Sequence, residues 1–122
     1  MPIVNVELVA DSRVTVSDVL AQSLADAIGR SLGSSPGQTW VRLRLLPREN
    51  YAENETLLAV DDLPVFVRVQ KRVVPDKPAL AVEIAALTHS IASVTGRDAA
   101  AVHVEYTPAA AGRLAFGGKL VE

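Results

Sequence analysis

Eight polar side chains recur at alternate positions of four apolar segments, and their types and spacing can support chemistry. They are Asn5, Glu7, Arg42, Arg44, Arg68, Gln70, His103 and Glu105. An arginine guanidinium can bind a carboxylate through two parallel hydrogen bonds. A histidine and a glutamate two positions apart, as at His103 and Glu105, can polarise a carbonyl or activate water. The competing interpretation is that these two polar groups satisfy each other.

The amino-acid composition excludes or disfavours several other kinds of functional site and partner. The chain of 122 residues has no cysteine, which excludes disulfides, thiolate nucleophiles and iron–sulfur clusters. Its two histidines have no carboxylate cluster at ligand spacing, so we expect neither a metal nor any other cofactor. Twelve basic against fourteen acidic residues give a net charge of −2, which favours no nucleic-acid partner. Because no uncharged apolar run approaches about 18 residues, we expect a cytoplasmic protein with no membrane contact.

The hydrophobic periodicity predicts which elements position the polar side chains. Alternation predicts four strands, at Ile3 to Val9, Trp40 to Leu46, Pro64 to Gln70 and Ala101 to Tyr106. A stripe from Val16 through Leu20, Leu24 and Ile28 predicts a helix that Thr15 or Ser17 caps and that Gly33 follows. A second stripe through Leu80, Ile84, Leu87 and Ile91 predicts a helix ending at Gly96. Residues 48–62 are predicted to be a loop that leads into a short accessory strand.

The predicted elements form a tandem β-α-β repeat within one α+β domain, residues 1–122. The repeats cover about 2–47 and 64–108, and a tail covers 109–122. Two such units give a four-stranded sheet with both helices on one face. The polar face would then lie open, so either solvent or another subunit must cover it. The glycine pair in the tail GRLAFGGKLVE predicts a turn or hairpin that reaches a neighbouring subunit.

The chain resembles the tautomerase superfamily, which includes 4-oxalocrotonate tautomerase, macrophage migration inhibitory factor and 5-carboxymethyl-2-hydroxymuconate isomerase. The resemblance spans nearly the whole chain. It rests on MPIVNVEL with proline after the initiator, on the doubled β-α-β pattern, on WVRLRLLP, and on AVHVEYTP followed by GRLAFGGKL. It implies a homotrimer whose sheets surround a central channel, and a role in the degradation of aromatic compounds.

The resemblance also implies that Pro2 becomes the amino terminus when Met1 is removed. Its nitrogen would then be a secondary amine, and burial near cationic side chains disfavours the protonated form. Pro2 would act as the general base that moves a proton within a small anionic 2-oxo or enol acid. If Met1 were retained, the nitrogen would be an amide without basicity.

Three arginines are implied as substrate anchors. Arg42, in the V-R-aliphatic sequence of the second strand, matches the arginine that reaches a neighbouring subunit's pocket in the 4-oxalocrotonate tautomerase group. The alternative is an ion pair of Arg42 with Glu7 or Glu105 across the channel. Arg13 sits one position beyond the family's loop arginine, and Arg72 follows the third strand, where dehalogenase and decarboxylase members place their carboxylate-binding arginines.

The remaining candidates line the pocket or support it. His103 and Glu105 occupy positions that hold a tyrosine and an asparagine in the migration inhibitory factor group. Leu114 and Phe116 flank the glycine turn and would form the hydrophobic wall around the amino terminus, or a clamp between subunits. Simple alternation places Tyr106 on the helix-covered face, with its hydroxyl at the edge.

Two other functions stay open at this level. One is a hydratase-dehalogenase acting on 3-haloacrylates, in which protonated Pro2 donates a proton while Glu105 activates water. The other is a catalytically inactive trimeric binding protein. The best-supported prediction is a cofactor-independent tautomerase or isomerase of a 2-hydroxy-2,4-dienoate or phenylpyruvate-like acid.

Overall fold

A computed structural model describes residues 2–12 and 15–122 of the chain and has an α+β fold. The strands are β1 Ile3–Ala10, β2 Trp40–Pro47, β3 Val65–Gln70, β4 Val102–Tyr106, β5 Ala115–Phe116 and β6 Lys119–Leu120. The helices are α1 Leu20–Ser31 and α2 Lys77–Thr95. Short 3-10 turns cover Arg48–Asn50, Val60–Asp62 and Ala99–Ala101.

The first four strands form one mixed sheet in the order β2-β1-β3-β4. The pairs β1/β2 and β3/β4 are parallel, because a helix connects the two strands of each pair, and β1 pairs antiparallel with β3 at the centre. The predicted tandem β-α-β sheet is therefore confirmed. The last two strands form a separate antiparallel hairpin around Gly117 and Gly118, as the tail sequence predicts.

The core lies between one face of the sheet and the two helices. Alternate residues of the central strands are buried there because every second side chain of a strand points to the same face. The fully or nearly buried side chains are Val4, Val6 and Leu8 of β1, Val65, Val67 and Val69 of β3, Leu24 and Ile28 of α1, and Leu87 and Ile91 of α2. Burial of each such Leu or Ile contributes about 2 kcal/mol to stability.

The first helix starts later than its apolar stripe predicts. It begins at Leu20, its N-cap residue is Val19, and no side chain caps it. Ser17 instead closes a turn before the helix, since its hydroxyl accepts the N–H of Val19 at 3.3 Å and its carbonyl accepts that of Leu20 at 3.1 Å. Val16 still packs against the core from this turn, which explains why the stripe extends beyond the helix.

The accessory strand predicted before β3 does not form. Residues 48–62 contain two 3-10 turns instead, with Leu57 fully exposed and Glu55 at a positive φ of 56°. A guanidinium nitrogen of Arg48 donates to the carbonyl of Leu58 at 2.5 Å, so a side chain takes the place of a neighbouring strand. An apolar run without a strand to pair with gains no ladder hydrogen bonds, and it stays a loop.

The second helix has well-formed ends and terminates where the sequence predicts. Asp76 caps its start by accepting the N–H of Ala79 at 3.2 Å. Gly96 ends it in the left-handed conformation, with φ 72°, and its N–H donates to Ala92 at 2.9 Å.

By length and composition alone, α2 is apolar enough to cross a membrane. A single such helix is weak evidence, because core helices of soluble proteins pass the same test. Leu87 and Ile91 of α2 are buried against the sheet, and Glu83 forms an ion pair within the fold. α2 therefore packs on the sheet through Leu87 and Ile91, while its other side chains are at least partly exposed.

Candidate functional site

The strand register arranges the polar face of the sheet in three rows that run across the strands. The first row holds Trp40, Ile3 and Gln70, the second Arg42, Asn5, Arg68 and Glu105, and the third Arg44, Glu7, Phe66 and His103. The second and third rows line an open cavity of about 520 Å³. The predicted set of polar side chains therefore does lie together on one face.

The two arginines of the second row have different kinds of partner. Arg42 donates from Nε to Oδ1 of Asn5 at 2.7 Å, whereas Arg68 forms an ion pair with Glu105 at 2.9 Å. Asn5 is neutral, so this bond orients the guanidinium of Arg42 without neutralising its charge. The side chains of Arg68 and Glu105 are 60% and 64% exposed, so their ion pair contributes little to stability.

His103 and Glu105 have separate partners within the subunit. Glu105 binds Arg68, while the ring of His103 lies 5.4 Å from the ring of Phe66. The ring centre of Tyr51 also lies 5.8 Å from that of Phe66. A hydrogen bond to Glu53 raises the pKa of Tyr51 to about 12. His103 therefore packs in a cluster with Phe66 and Tyr51 and is not paired with Glu105.

Pro2 is buried at the end of the sheet where β2 begins. Its carbonyl accepts the N–H of Trp40 at 3.0 Å, which continues the pairing of β1 with β2 by one residue. The ring of Phe116 meets the ring of Trp40 edge-on at 4.4 Å. Leu114 closes the base of the same hairpin, since its carbonyl accepts the N–H of Val121 at 2.8 Å. The tail segment predicted to form a wall therefore lies at the strand that Pro2 pairs with.

Two of the three candidate arginines lie in the part of the chain that the structure describes. Arg42 is three register positions from Pro2, about 10 Å along the strand, and lies on the polar face. Arg72 is exposed and donates to the main-chain oxygen of Glu122 at 3.0 Å. Arg13 lies outside the residues that the structure describes, as does Met1.

A second ionic cluster lies on the helix side of the sheet, and the sequence analysis missed it. Lys71 forms an ion pair with Glu83 of α2 at 2.9 Å, and the hydroxyl of Tyr106 donates to the other oxygen of Glu83. The Lys71 and Glu83 side chains are only 21% and 17% exposed. Burial, then the bond to Glu83 and its negative charge, raise the pKa of Tyr106 well above its usual value. Tyr106 thus faces the helices with its hydroxyl at the edge, as alternation predicts.

A signal for Lys71 is present in the sequence. It occupies the position after Val65, Val67 and Val69 in the same alternation, so it falls on the helix-covered face. A charged residue at such a position needs a partner of opposite charge. The partner comes from α2, which the local pattern of β3 does not identify.

Comparison with known proteins decides the fold. No protein-family model matches the sequence, and no curated protein matches it. Among solved structures, Pt0534 inactivated by 2-oxo-3-pentynoate is 18% identical, with a TM-score of 0.75 over 98% of this chain and 94% of that one. A native fused 4-OT, where 4-OT stands for 4-oxalocrotonate tautomerase, is 20% identical, with a TM-score of 0.72 over 97% and 94%. The chain has the tautomerase superfamily fold.

The macrophage migration inhibitory factor of Oncomelania hupensis shares this tautomerase fold. It is 14% identical to the present chain, with a TM-score of 0.75 over 100% of this chain and 83% of that one. The resemblance inferred from the sequence is thereby confirmed at the level of the fold. Identities this low establish the arrangement of the elements, and the roles of Pro2 and the arginines remain predictions.

Titratable side chains of the described part of this tautomerase fold do not assemble into a metal site. No group of three or more histidine, aspartate or glutamate residues at ligand distance occurs in residues 2–12 and 15–122.

Proposed function

We propose that this protein is a cofactor-independent tautomerase or isomerase with Pro2 as its general base. Its substrate is a small anionic 2-oxo acid or its enol, of the 2-hydroxydienoate or phenylpyruvate type. After removal of Met1, the amine of Pro2 takes a proton from the enol oxygen or from carbon and returns it at another position of the conjugated system. No atom is gained or lost overall.

The burial of Pro2 at the end of β1, in a chain with the tautomerase fold, is the observation that carries this proposal. Apolar surroundings disfavour a protonated amine, because charge is poorly solvated there. Pro2 is itself buried, and the ring pair of Trp40 and Phe116 lies at the start of the strand to which Pro2 is hydrogen-bonded. A neutral amine at neutral pH is the form that a general base requires.

The proposed substrate class rests on the charge of Arg42 and on one solved structure of the same fold. Pt0534, which shares the fold, is inactivated by 2-oxo-3-pentynoate, a small 2-oxo acid. Arg42 keeps its charge beside a neutral asparagine, so it suits a carboxylate ligand. Arg13 and Arg72 are proposed as further anchors, with His103, Glu105, Leu114 and Phe116 lining the pocket.

A homotrimer is part of the proposal, since Arg42 and Pro2 lie on different faces of one subunit. A fused 4-OT with the same fold is described as a symmetric trimer. In a trimer, the polar face of one subunit meets its neighbours, and Arg42 serves the Pro2 of another subunit. A cytoplasmic location, without nucleic-acid or membrane partners, completes the proposal.

Within one subunit Glu105 forms an exposed ion pair with Arg68, which bears on the hydratase-dehalogenase alternative. A hydratase-dehalogenase that uses Glu105 would first have to break this pair. Halide release from 3-haloacrylates is the assay that would favour the dehalogenase instead.

The enol-to-keto conversion of phenylenolpyruvate and 2-hydroxymuconate tests the proposed function. The rate is measured for wild type and Pro2→Ala after mass spectrometry has established that Met1 is absent. We expect kcat/KM to fall by about 100-fold or more in Pro2→Ala, the usual contribution of a positioned base. Pro64→Ala is the matched control, since Pro64, like Pro2, directly precedes a strand but has an amide nitrogen. An unchanged rate in Pro2→Ala would remove Pro2 from the mechanism.

A further inference from the structure

The ionic cluster on the helix side of the sheet, which we call the helix-side triad, consists of Lys71, Glu83 and Tyr106. Both oxygens of Glu83 are occupied, one by the ammonium of Lys71 at 2.9 Å and the other by the hydroxyl of Tyr106. The triad joins three elements: the residue after β3, the second turn of α2 and the last residue of β4. The ammonium of Lys71 is therefore held in one place.

The strand register brings the triad next to Pro2. Val4 pairs with Val69 and Ile3 with Gln70 in the antiparallel ladder of β1 and β3. The paired residues end there, and extending the ladder by one step puts Lys71 opposite Pro2, where regular antiparallel spacing is about 5 Å between Cα atoms. Pro2 alternates with the buried Val4, and Lys71 reaches a carboxylate of α2, so both side chains lie on the helix side.

We propose that Lys71 is a positioning residue for Pro2 and that its ammonium, held by the helix-side triad, keeps the amino-terminal amine in its neutral form. This role rests on the proposed function, in which the amine of Pro2 is the base. A fixed positive charge near an amine disfavours protonation of that amine. Glu83 opposes the effect with its own negative charge and limits it.

Other charged and titratable groups lie on the elements around Pro2. They are Arg42 on β2, Arg72 after β3, Asp76 and Lys77 at the start of α2, Glu105 on β4, Lys119 in the hairpin and Glu122 at its end. Arg42 and Glu105 lie on the polar face, and Arg72 binds the main chain of Glu122. The triad is the cluster whose half-buried charges lie on the same side of the sheet as Pro2.

The test is an NMR titration of the Pro2 amine in protein labelled with ¹³C,¹⁵N-proline. Mass spectrometry first establishes that Pro2 is the first residue, and methionine aminopeptidase removes Met1 where needed. Among the seven prolines, Pro2 is the one with a titrating nitrogen. We expect Lys71→Met to raise the pKa of the amine by about one unit and Glu83→Gln to lower it by about half a unit.

Two further variants separate charge from structure. Lys71→Arg keeps the charge and should leave the pKa of the amine within about 0.3 units of wild type. Lys77→Met removes an exposed lysine at the start of α2 and should have no effect. A purely structural triad would lower the unfolding temperature in both Lys71→Met and Glu83→Gln without moving the amine pKa in opposite directions.

The outcome distinguishes this role from the proposed function. An unchanged amine pKa in Lys71→Met, or shifts of the same sign in Lys71→Met and Glu83→Gln, overturns the role of Lys71. If Lys71→Met does not fold, the test rests on Glu83→Gln. A lowered pKa of the Pro2 amine in Glu83→Gln supports the role of Lys71, and an unchanged or raised pKa overturns it. If the pKa moves as expected but wild type catalyses no tautomerisation, the proposed function fails while the role of Lys71 stands.

Discussion

At the scale of single residues, Arg42 differs from Arg68 of the same row in what it binds. Arg68 is paired with a carboxylate, whereas Arg42 is oriented by the neutral side chain of Asn5. A cation without a bound anion among the described residues of its own subunit retains affinity for an anionic ligand. The type and position of Arg42 are visible in the sequence, but its partner is not.

Replacement of Arg42 by glutamine should weaken substrate binding. We expect KM for 2-hydroxymuconate to rise by about 10-fold or more, because one charge-assisted bond to the carboxylate is lost. Steady-state kinetics measure this change, with Arg44→Gln as the matched control two residues along the same face. Equal effects in the two variants would mean that the face acts only through its total charge.

The ionisation of Tyr106 should make stability depend on pH in the alkaline range. Its pKa is raised in the folded chain by burial and by Glu83, so the folded state keeps the proton that the unfolded state loses near pH 10. This contribution is fully present below about pH 10 and is lost as the pH rises toward the folded pKa. Urea unfolding at about pH 9 and pH 11 should show a smaller loss of stability in Tyr106→Phe than in wild type.

Absorbance titration provides an independent check on Tyr106. The chain has two tyrosines, so Tyr51→Phe leaves Tyr106 as the single phenol. Its titration midpoint should lie above that of free tyrosine in the folded variant and return to about 10 in urea. A native midpoint near 10 would contradict the raised pKa.

At the scale of elements, the sequence predicts a helix end or a strand correctly where a single local cause determines it. The end of α2 at Gly96 follows from a residue that adopts a positive φ without strain, and the strands follow from their alternation. The prediction was wrong where a competing contact decides, as at the start of α1 and in residues 48–62.

Two glycine substitutions should change stability in opposite directions. Gly96→Ala should destabilise the fold by about 1 kcal/mol, because alanine is strained at a φ of 72°. Gly29→Ala, inside α1, should stabilise it by up to about 1 kcal/mol. The new methyl group would lie 3.8 Å from Thr39, which is ordinary contact. Chemical denaturation measures both, and a stabilising Gly96→Ala would contradict the left-handed cap.

At the scale of the whole molecule, the proposed site is complete only in an assembly. The polar face is open in one subunit, and β2 is an edge strand that leaves Trp40 and Leu45 44% and 46% exposed. An exposed edge with apolar side chains is a surface that proteins usually cover.

The protein should therefore have the mass of a trimer in solution, three times the 12.9 kDa subunit. Light scattering coupled to size-exclusion chromatography measures this mass, and a dilution series shows whether the assembly persists at assay concentration. A monomer that retains full tautomerase activity would contradict the requirement for Arg42 of a neighbouring subunit.

The sequence by itself determined the four-stranded sheet, the sharing of one face by the polar side chains, and the resemblance that singles out Pro2. These follow from periodicity and residue type, which act over a few residues. Only the tertiary structure decided that Glu105 pairs with Arg68 and that Lys71 and Tyr106 both bind Glu83. Such contacts depend on the register between strands and on how α2 packs against the sheet, and both are set by the packing of the whole core.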